Sequence, residues 1–122
     1  MVQGEFIEHI PFVPVVVAWD QAVQSAHVIL DTGFSGDLQV TPAMAKELNL
    51  EVIGVTRTQI ANGQTIEVPV ALAIVAMEGI SHAVEVLISD SMPLGGISFL
   101  SKFSYKAIVD CKNKTVVLEQ AH

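Results

Sequence analysis

The sequence predicts a mostly β subunit with one or two short helices, and three observations carry that prediction. Hydrophobic residues make up 51% of the chain and charged residues 16%, a balance that supports a packed core and excludes a disordered, highly charged chain. The apolar residues fall in short β-branched runs rather than at helical spacing. Turn signals, above all Asn62-Gly63, separate those runs. At 122 residues, about 0.8 of a typical domain of roughly 150, residues 1–122 are expected to form a single domain.

Phe12 to Trp19 and Ser25 to Asp31 are β-branched-rich runs flanking the polar segment from Asp20 to Gln24, the pattern of a hairpin. Thr41-Pro42 reads as an N-cap followed by proline at the first helical position, opening a short helix to Leu48. Val52 to Ile60 and Gln64 to Met77 flank Ala61-Asn62-Gly63, where Asn-Gly supplies the positive φ of a tight turn. In the second arm Ile66, Val68, Val70, Leu72 and Ile74 are expected on one face and Glu67, Pro69, Ala71 and Ala73 on the other. His82 to Ile88, Lys106 to Asp110 and Thr115 to Glu119 complete the strands. Ile97 to Phe103 places Phe99, Leu100 and Phe103 on one side of a second short helix.

Charge and composition narrow the function classes. Six Lys and Arg against 13 Asp and Glu leave a net charge of -7, which repels phosphate backbones and anionic lipid surfaces, so neither nucleic acid nor membrane is an expected partner. The longest apolar stretches, Ile10 to Trp19 and Val68 to Met77, are ten residues each and contain proline, against the roughly 20 needed to span a bilayer. The start of the chain carries two acidic residues and no basic one before its first apolar run, unlike a secretory signal. Together with the lone Cys111, which has no internal partner, this leads to the expectation of a cytoplasmic protein. A mean hydropathy of +0.52 is high for so small a chain and is consistent with a buried subunit interface or a strand-rich core.

The segment Val28-Ile29-Leu30-Asp31-Thr32-Gly33 runs an apolar strand straight into a carboxylate and a glycine. Three roles are open to Asp31: an Asx-type turn residue, a metal ligand with His27 and Asp37, or a catalytic carboxylate. The four histidines, at 9, 27, 82 and 122, show no ligand spacing, so no metal and no cofactor are expected. Asp90-Ser91-Met92 is not a second copy of the motif, because methionine stands where glycine must allow close backbone approach.

Apolar-apolar-Asp-Thr-Gly resembles the active-site signature of the retropepsin-like aspartic proteases. Two further features occur in that family's order. The long hairpin with Asn62-Gly63 at its tip stands where the family has a flap, and Leu94-Gly95-Gly96-Ile97-Ser98-Phe99-Leu100 is similar to its apolar-apolar-Gly segment and the helix that follows. Asp31-Thr32-Gly33-Phe34 is similar to single-domain prokaryotic members with phenylalanine after the motif. Phe34 departs from the alanine or serine of the viral enzymes, and Gly95 stands where an apolar side chain is expected.

The resemblance implies a closed or partly open β-barrel subunit forming a symmetric homodimer, and an aspartic endopeptidase. Asp31 of each subunit would contribute one of two carboxylates sharing a proton across a water. Thr32 would donate into a hydrogen-bond network crossing the twofold axis, and Gly33 would turn the loop. Phe34, Ser35, Asn62, Gly63 and Gly96 would border a substrate peptide held as an extended strand. Four of these also have a plainer role: Asn62 and Gly63 as a hairpin turn, Ser35 as a turn residue, Gly96 as a structural glycine. A peptide-binding or dimerisation module without catalysis is the alternative on the same fold.

Overall fold

A computed structural model describes residues 1–59 and 62–122; Ile60 and Ala61, which the sequence assigns to the end of a strand and to a turn, lie outside the described residues. Strand accounts for 59% and helix for 10%, so the mostly β expectation holds. In chain order the elements are β1 (Val2–Gln3), β2 (Glu5–Ile7), β3 (Ile10–Trp19), β4 (Ala22–Leu30), β5 (Leu38–Val40), α1 (Pro42–Glu47), β6 (Val52–Gln59), β7 (Thr65–Met77), β8 (Ile80–Ile88), β9 (Leu94–Gly95), α2 (Ile97–Lys102), β10 (Tyr105–Asp110) and β11 (Thr115–Gln120).

The larger sheet runs β2-β3-β4-β9-β5-β8-β7-β6 and also pairs β3 with β7. That extra pairing closes β3, β4, β9, β5, β8 and β7 into a ring, leaving β2 and β6 appended to it. Inside the ring Val13, Val15 and Val17 of β3 meet Val28 and Leu30 of β4, Val84 and Val86 of β8 and Val75 of β7, each 8% exposed or less. Phe99 and Leu100 of α2 seal one end of this core, and the second sheet, β1-β11-β10, adds Val116, Leu118 and Tyr105. Tyr105 donates its hydroxyl to Glu78 at 2.8 Å, and burial together with that carboxylate raises its pKa well beyond the ordinary phenol value.

The N-cap assignment is borne out: the Thr41 hydroxyl accepts the Met44 N–H at 3.2 Å, and Pro42 opens α1. Two expectations are corrected. The polar segment 20–24 is not all turn: only Asp20 and Gln21 lie outside strand, Asp20 takes φ 53°, and β4 begins at Ala22 opposite Trp19. In β7 the buried face changes partway: Val68 and Val70 are buried, then Ala71, Ala73, Val75 and Met77, while Leu72 and Ile74 are 37% and 36% exposed. The cause is a change of neighbour. Up to Ala71 this edge of β7 pairs with β6 across a register shift at Val52/Gly54, and from Ile74 it pairs with β3 inside the ring. Strands β1, β2, β5 and β9 were not expected; at two or three residues each they are too short to show a period.

Two-residue β9 sets the geometry of everything that follows. It lies between β4 and β5, parallel to the first and antiparallel to the second. The loop 31–37 that joins β4 to β5 therefore passes around the end of β9.

Candidate active site

Leu30 points into the core, so the strand alternation turns the next side chain, Asp31, away from it. The Asp31 N–H donates to the Gly95 carbonyl at 3.0 Å, the last tie between this strand and β9. The chain then turns tightly. Asp31 Oδ1 accepts the Gly33 N–H at 2.9 Å, and the Phe34 N–H donates to the Asp31 carbonyl at 3.1 Å. Asp31 is half-buried, and Thr32 and Gly33 are exposed. This is the Asx-type turn that the sequence allowed, and Asp31 Oδ2 accepts no hydrogen bond from the described residues.

Residues 96–98 hold the rest of the loop. Gly96 donates to the Asp37 carbonyl at 3.0 Å, Ile97 to Phe34 at 2.9 Å and Ser98 to Gly36 at 3.2 Å. Such close approach requires a glycine at 96: a Cβ there would lie 2.3 Å from the Gly36 oxygen and 2.5 Å from the Phe34 oxygen. Gly95 is explained in the same way, since the space beside it is already filled, with Val28 Cγ2 3.0 Å and the Phe99 ring 3.5 Å from a Cβ. The apolar side chain expected before Gly96 is thus replaced by Phe99 from α2.

A second carboxylate closes the loop. Asp37 is 5% exposed; its Oδ2 accepts Lys102 Nζ at 2.6 Å and the Glu85 N–H at 2.9 Å, while its Oδ1 is buried without a hydrogen-bond partner among the described residues. Burial alone would raise its pKa. The Lys102 ammonium, the Ser98 hydroxyl and the Glu85 amide outweigh burial and hold it below the ordinary carboxylate value. Sequence reading weighed Asp37 as a metal ligand beside Asp31 and His27 and missed Lys102, because nothing in the spacing of residues 37 and 102 announces a pair.

Beside the loop lies a cleft of about 300 Å³, lined by residues 33–37, by Thr56, Arg57 and Thr58 of β6, and by Glu85 and Leu87 of β8. Gly33, Phe34 and Ser35 are on its wall, Asp31 and Thr32 stand outside it, and Gly96 supports the loop from behind. Arg57 and Glu85 were not singled out from the sequence. The hairpin of β6 and β7 carries Asn62 and Gly63 at its exposed end, with Gly63 at φ 85°. Their hydrogen bonds are local: Asn62 Oδ1 accepts the Gln64 N–H at 2.9 Å and the Gly63 carbonyl accepts Gln59 Nε2 at 3.3 Å. Among the described residues, none joins this tip to the Asp31 loop.

No protein-family model and no curated protein sequence matches the chain. Solved structures do. The EIAV protease in complex with the inhibitor HBY-793 is similar at a TM-score of 0.66 and 19% identity, over 84% of this chain and 96% of that one. A retropepsin-like aspartic protease from Rickettsia conorii is similar at a TM-score of 0.66 and 16% identity, over 100% of this chain and 90% of that one. The strand ring, the loop threaded around β9 and the hairpin over the cleft together make up the fold of the retropepsin-like aspartic proteases.

Proposed function

We propose that this chain is one subunit of a homodimeric aspartic endopeptidase, residues 1–122 forming one domain. The observation that carries the reading is Asp31 itself. It is a half-exposed carboxylate on a loop fixed by four backbone hydrogen bonds to residues 95–98, with no cation within ion-pair distance among the described residues and a cleft of about 300 Å³ alongside. The fold shared with aspartic proteases supports it.

One chain supplies one such carboxylate, so the second is Asp31 of a second copy related by a twofold axis. Two carboxylates that close share one proton, because like charges in contact cannot both ionise. The ionised one takes a proton from a water as its oxygen bonds to the peptide carbonyl carbon. The protonated one gives its proton to the carbonyl oxygen. When the C–N bond breaks, the leaving nitrogen takes a proton back from the pair. Thr32 is assigned to hydrogen bonding across the axis and Gly33 to bringing the backbone close to substrate. Phe34 and Ser35 border the cleft, Gly96 braces the loop, and Asn62 and Gly63 cover a substrate peptide bound as an added strand. The lone, exposed Cys111 suits a reducing compartment, and we place the protein in the cytoplasm; among the described residues no helix is long and apolar enough to cross a membrane.

The test is cleavage of an unfolded protein substrate by wild type and by Asp31→Asn from about pH 3.5 to 7, with the dimer state measured in the same samples. Cleavage is expected only from the wild type, with both proteins dimeric. A wild-type dimer that binds peptide and cleaves none would make the chain a binding module instead.

A further inference from the structure

We propose that Arg57 and Glu85 set the specificity of the cleft: together they select a substrate side chain that is uncharged yet both donates and accepts hydrogen bonds, the carboxamide of glutamine or asparagine, and turn away side chains of either charge. This rests on the peptidase reading, in which the cleft beside Asp31 receives one side chain of the peptide. Of the residues lining the cleft only Asp37, Arg57 and Glu85 ionise, and Asp37 is already matched by Lys102 at 2.6 Å. Arg57, the only arginine of the chain, and Glu85 remain. Neither side chain belongs to an ion pair among the described residues, so the two share one cleft while standing farther apart than an ion pair. Glu67 lies opposite Arg57 across the β6–β7 ladder; it is outside the cleft and makes no ion pair with Arg57 either.

The fold holds the two charges on separate walls. Glu85 is on β8, and its N–H donates to Asp37 Oδ2 at 2.9 Å, so its backbone is tied to the same clamp that fixes the Asp31 loop. Arg57 is on the free edge of β6, between Thr56 and Thr58. The space between them is not crowded by the loop. The Phe34 ring lies over the bare backbones of Gly36 and Gly96, where a Cβ would come within 2.6 Å and 2.8 Å of it. A side chain entering the cleft of about 300 Å³ therefore meets one donor, one acceptor and the hydroxyls of Ser35, Thr56 and Thr58, which serve as either. A carboxylate gains Arg57 and is repelled by Glu85; an ammonium does the reverse. An aliphatic side chain displaces water from both and pairs with neither. A carboxamide offers its oxygen to the guanidinium and its nitrogen to the carboxylate and brings no net charge. The repulsive element against each charged competitor is thus built into the cleft.

The experiment measures peptide binding to the full chain carrying Asp31→Asn, and cleavage of the same peptides by the chain with Asp31 intact. The peptides differ only in having Gln, Glu, Lys or Leu at one position at a time. At one position Gln is expected to bind about 5- to 10-fold more tightly than the other three. Arg57→Gln leaves Glu85 alone and should turn the preference to Lys. Glu85→Gln leaves Arg57 alone and should turn it to Glu. The double reversal, Arg57→Glu with Glu85→Arg, restores the balance and should restore Gln, which a merely structural role for either residue would not do. Both side chains are exposed, so the substitutions leave the core untouched. The same order of peptides in all four proteins overturns the assignment, as does a preference for Glu or Lys before any change at 57 or 85, or no discrimination at any position. Cleavage that depends on Asp31 but ignores both exchanges removes the assignment and leaves the peptidase reading standing. Binding that follows the exchanges, with no cleavage from the chain with Asp31 intact, does the reverse.

Discussion

Asp31 and Asp37 are the same functional group six residues apart on one loop, and the fold treats them in opposite ways. Asp37 is buried, takes the Lys102 ammonium and the Glu85 amide on one oxygen, and is held ionised. Asp31 is half-buried, with one oxygen bonded to the Gly33 amide and the other without a donor among the described residues. A carboxylate committed to a cation has no proton to exchange in the working pH range. Asp37 is therefore tied into the frame while Asp31, under the proposed function, is left to react, and the backbone ladder to residues 95–98 joins the two.

Exchanging the two roles by mutation is the strongest way to break this comparison. Asp31→Asn keeps an acceptor for the Gly33 N–H but removes the exchangeable proton, so peptide cleavage should fall by about 10³-fold or more, with stability unchanged within about 0.5 kcal/mol. Asp37→Asn should do the opposite in kind, lowering stability by about 1–2 kcal/mol as a charge-assisted hydrogen bond is lost. Kinetics and urea unfolding on both variants read the two effects separately. Equal losses of activity at unchanged stability would erase the distinction.

Lys102→Met sharpens it through pH. Removing the ammonium leaves Asp37 buried with the Glu85 amide, a change expected to cost about 3 kcal/mol at pH 7. In the wild type the folded-state pKa of Asp37 is lowered, so its contribution is fully present above the unfolded value of about 3.9 and is lost as pH falls through the folded value. In the variant burial is no longer outweighed, and protonating Asp37 relieves the penalty. The gap between the two proteins should therefore be widest at neutral pH and shrink on acidification below about pH 4. Urea unfolding at pH 7 and pH 3 checks this; a gap independent of pH would remove Asp37 from the account.

Gly96→Ala tests the ladder that carries Asp31. With a Cβ 2.3 Å from one carbonyl oxygen and 2.5 Å from another, either the loop or β9 must move, at about 1–3 kcal/mol. Stability and Asp31-dependent cleavage should fall together, whereas Asp31→Asn affects cleavage alone. Thermal unfolding beside the cleavage assay separates them.

How much of this could be read from residues alone follows from the range of each interaction. The Asp31-Thr32-Gly33 turn, the Thr41 cap and the long β6–β7 hairpin are local, and their signals lie within a few positions of one another. The β7 face change was invisible, because it depends on which strand, β6 or β3, lies alongside. The Asp37–Lys102 pair was invisible for a similar reason: it joins positions 65 residues apart, brought together only by the threading of β9 between β4 and β5. Gly96 was legible as a glycine in the right order, but the two carbonyls that require it belong to a loop 60 positions away. The two-residue β9, too short for any periodicity, decides the last two of these.

Ser98→Ala is the smallest perturbation and separates the parts of the clamp. Ser98 acts on the loop twice. Its N–H donates to the Gly36 carbonyl, which the substitution keeps, and its hydroxyl helps hold the Asp37 carboxyl low, which the substitution removes. Lys102 and the Glu85 amide remain, so the loss should be about 0.5–1 kcal/mol, the net contribution of one ordinary hydrogen bond. The folded-state pKa of Asp37 should move up toward its ordinary value, shifting the onset of acid destabilisation to higher pH. Cleavage should be nearly unchanged, because the backbone ladder that positions Asp31 is intact. Acid unfolding curves for wild type and Ser98→Ala measure this directly. A loss as large as that of Lys102→Met would mean that the hydroxyl, rather than the ammonium, dominates the clamp, and that the contrast between the two aspartates rests on hydrogen bonding rather than on charge.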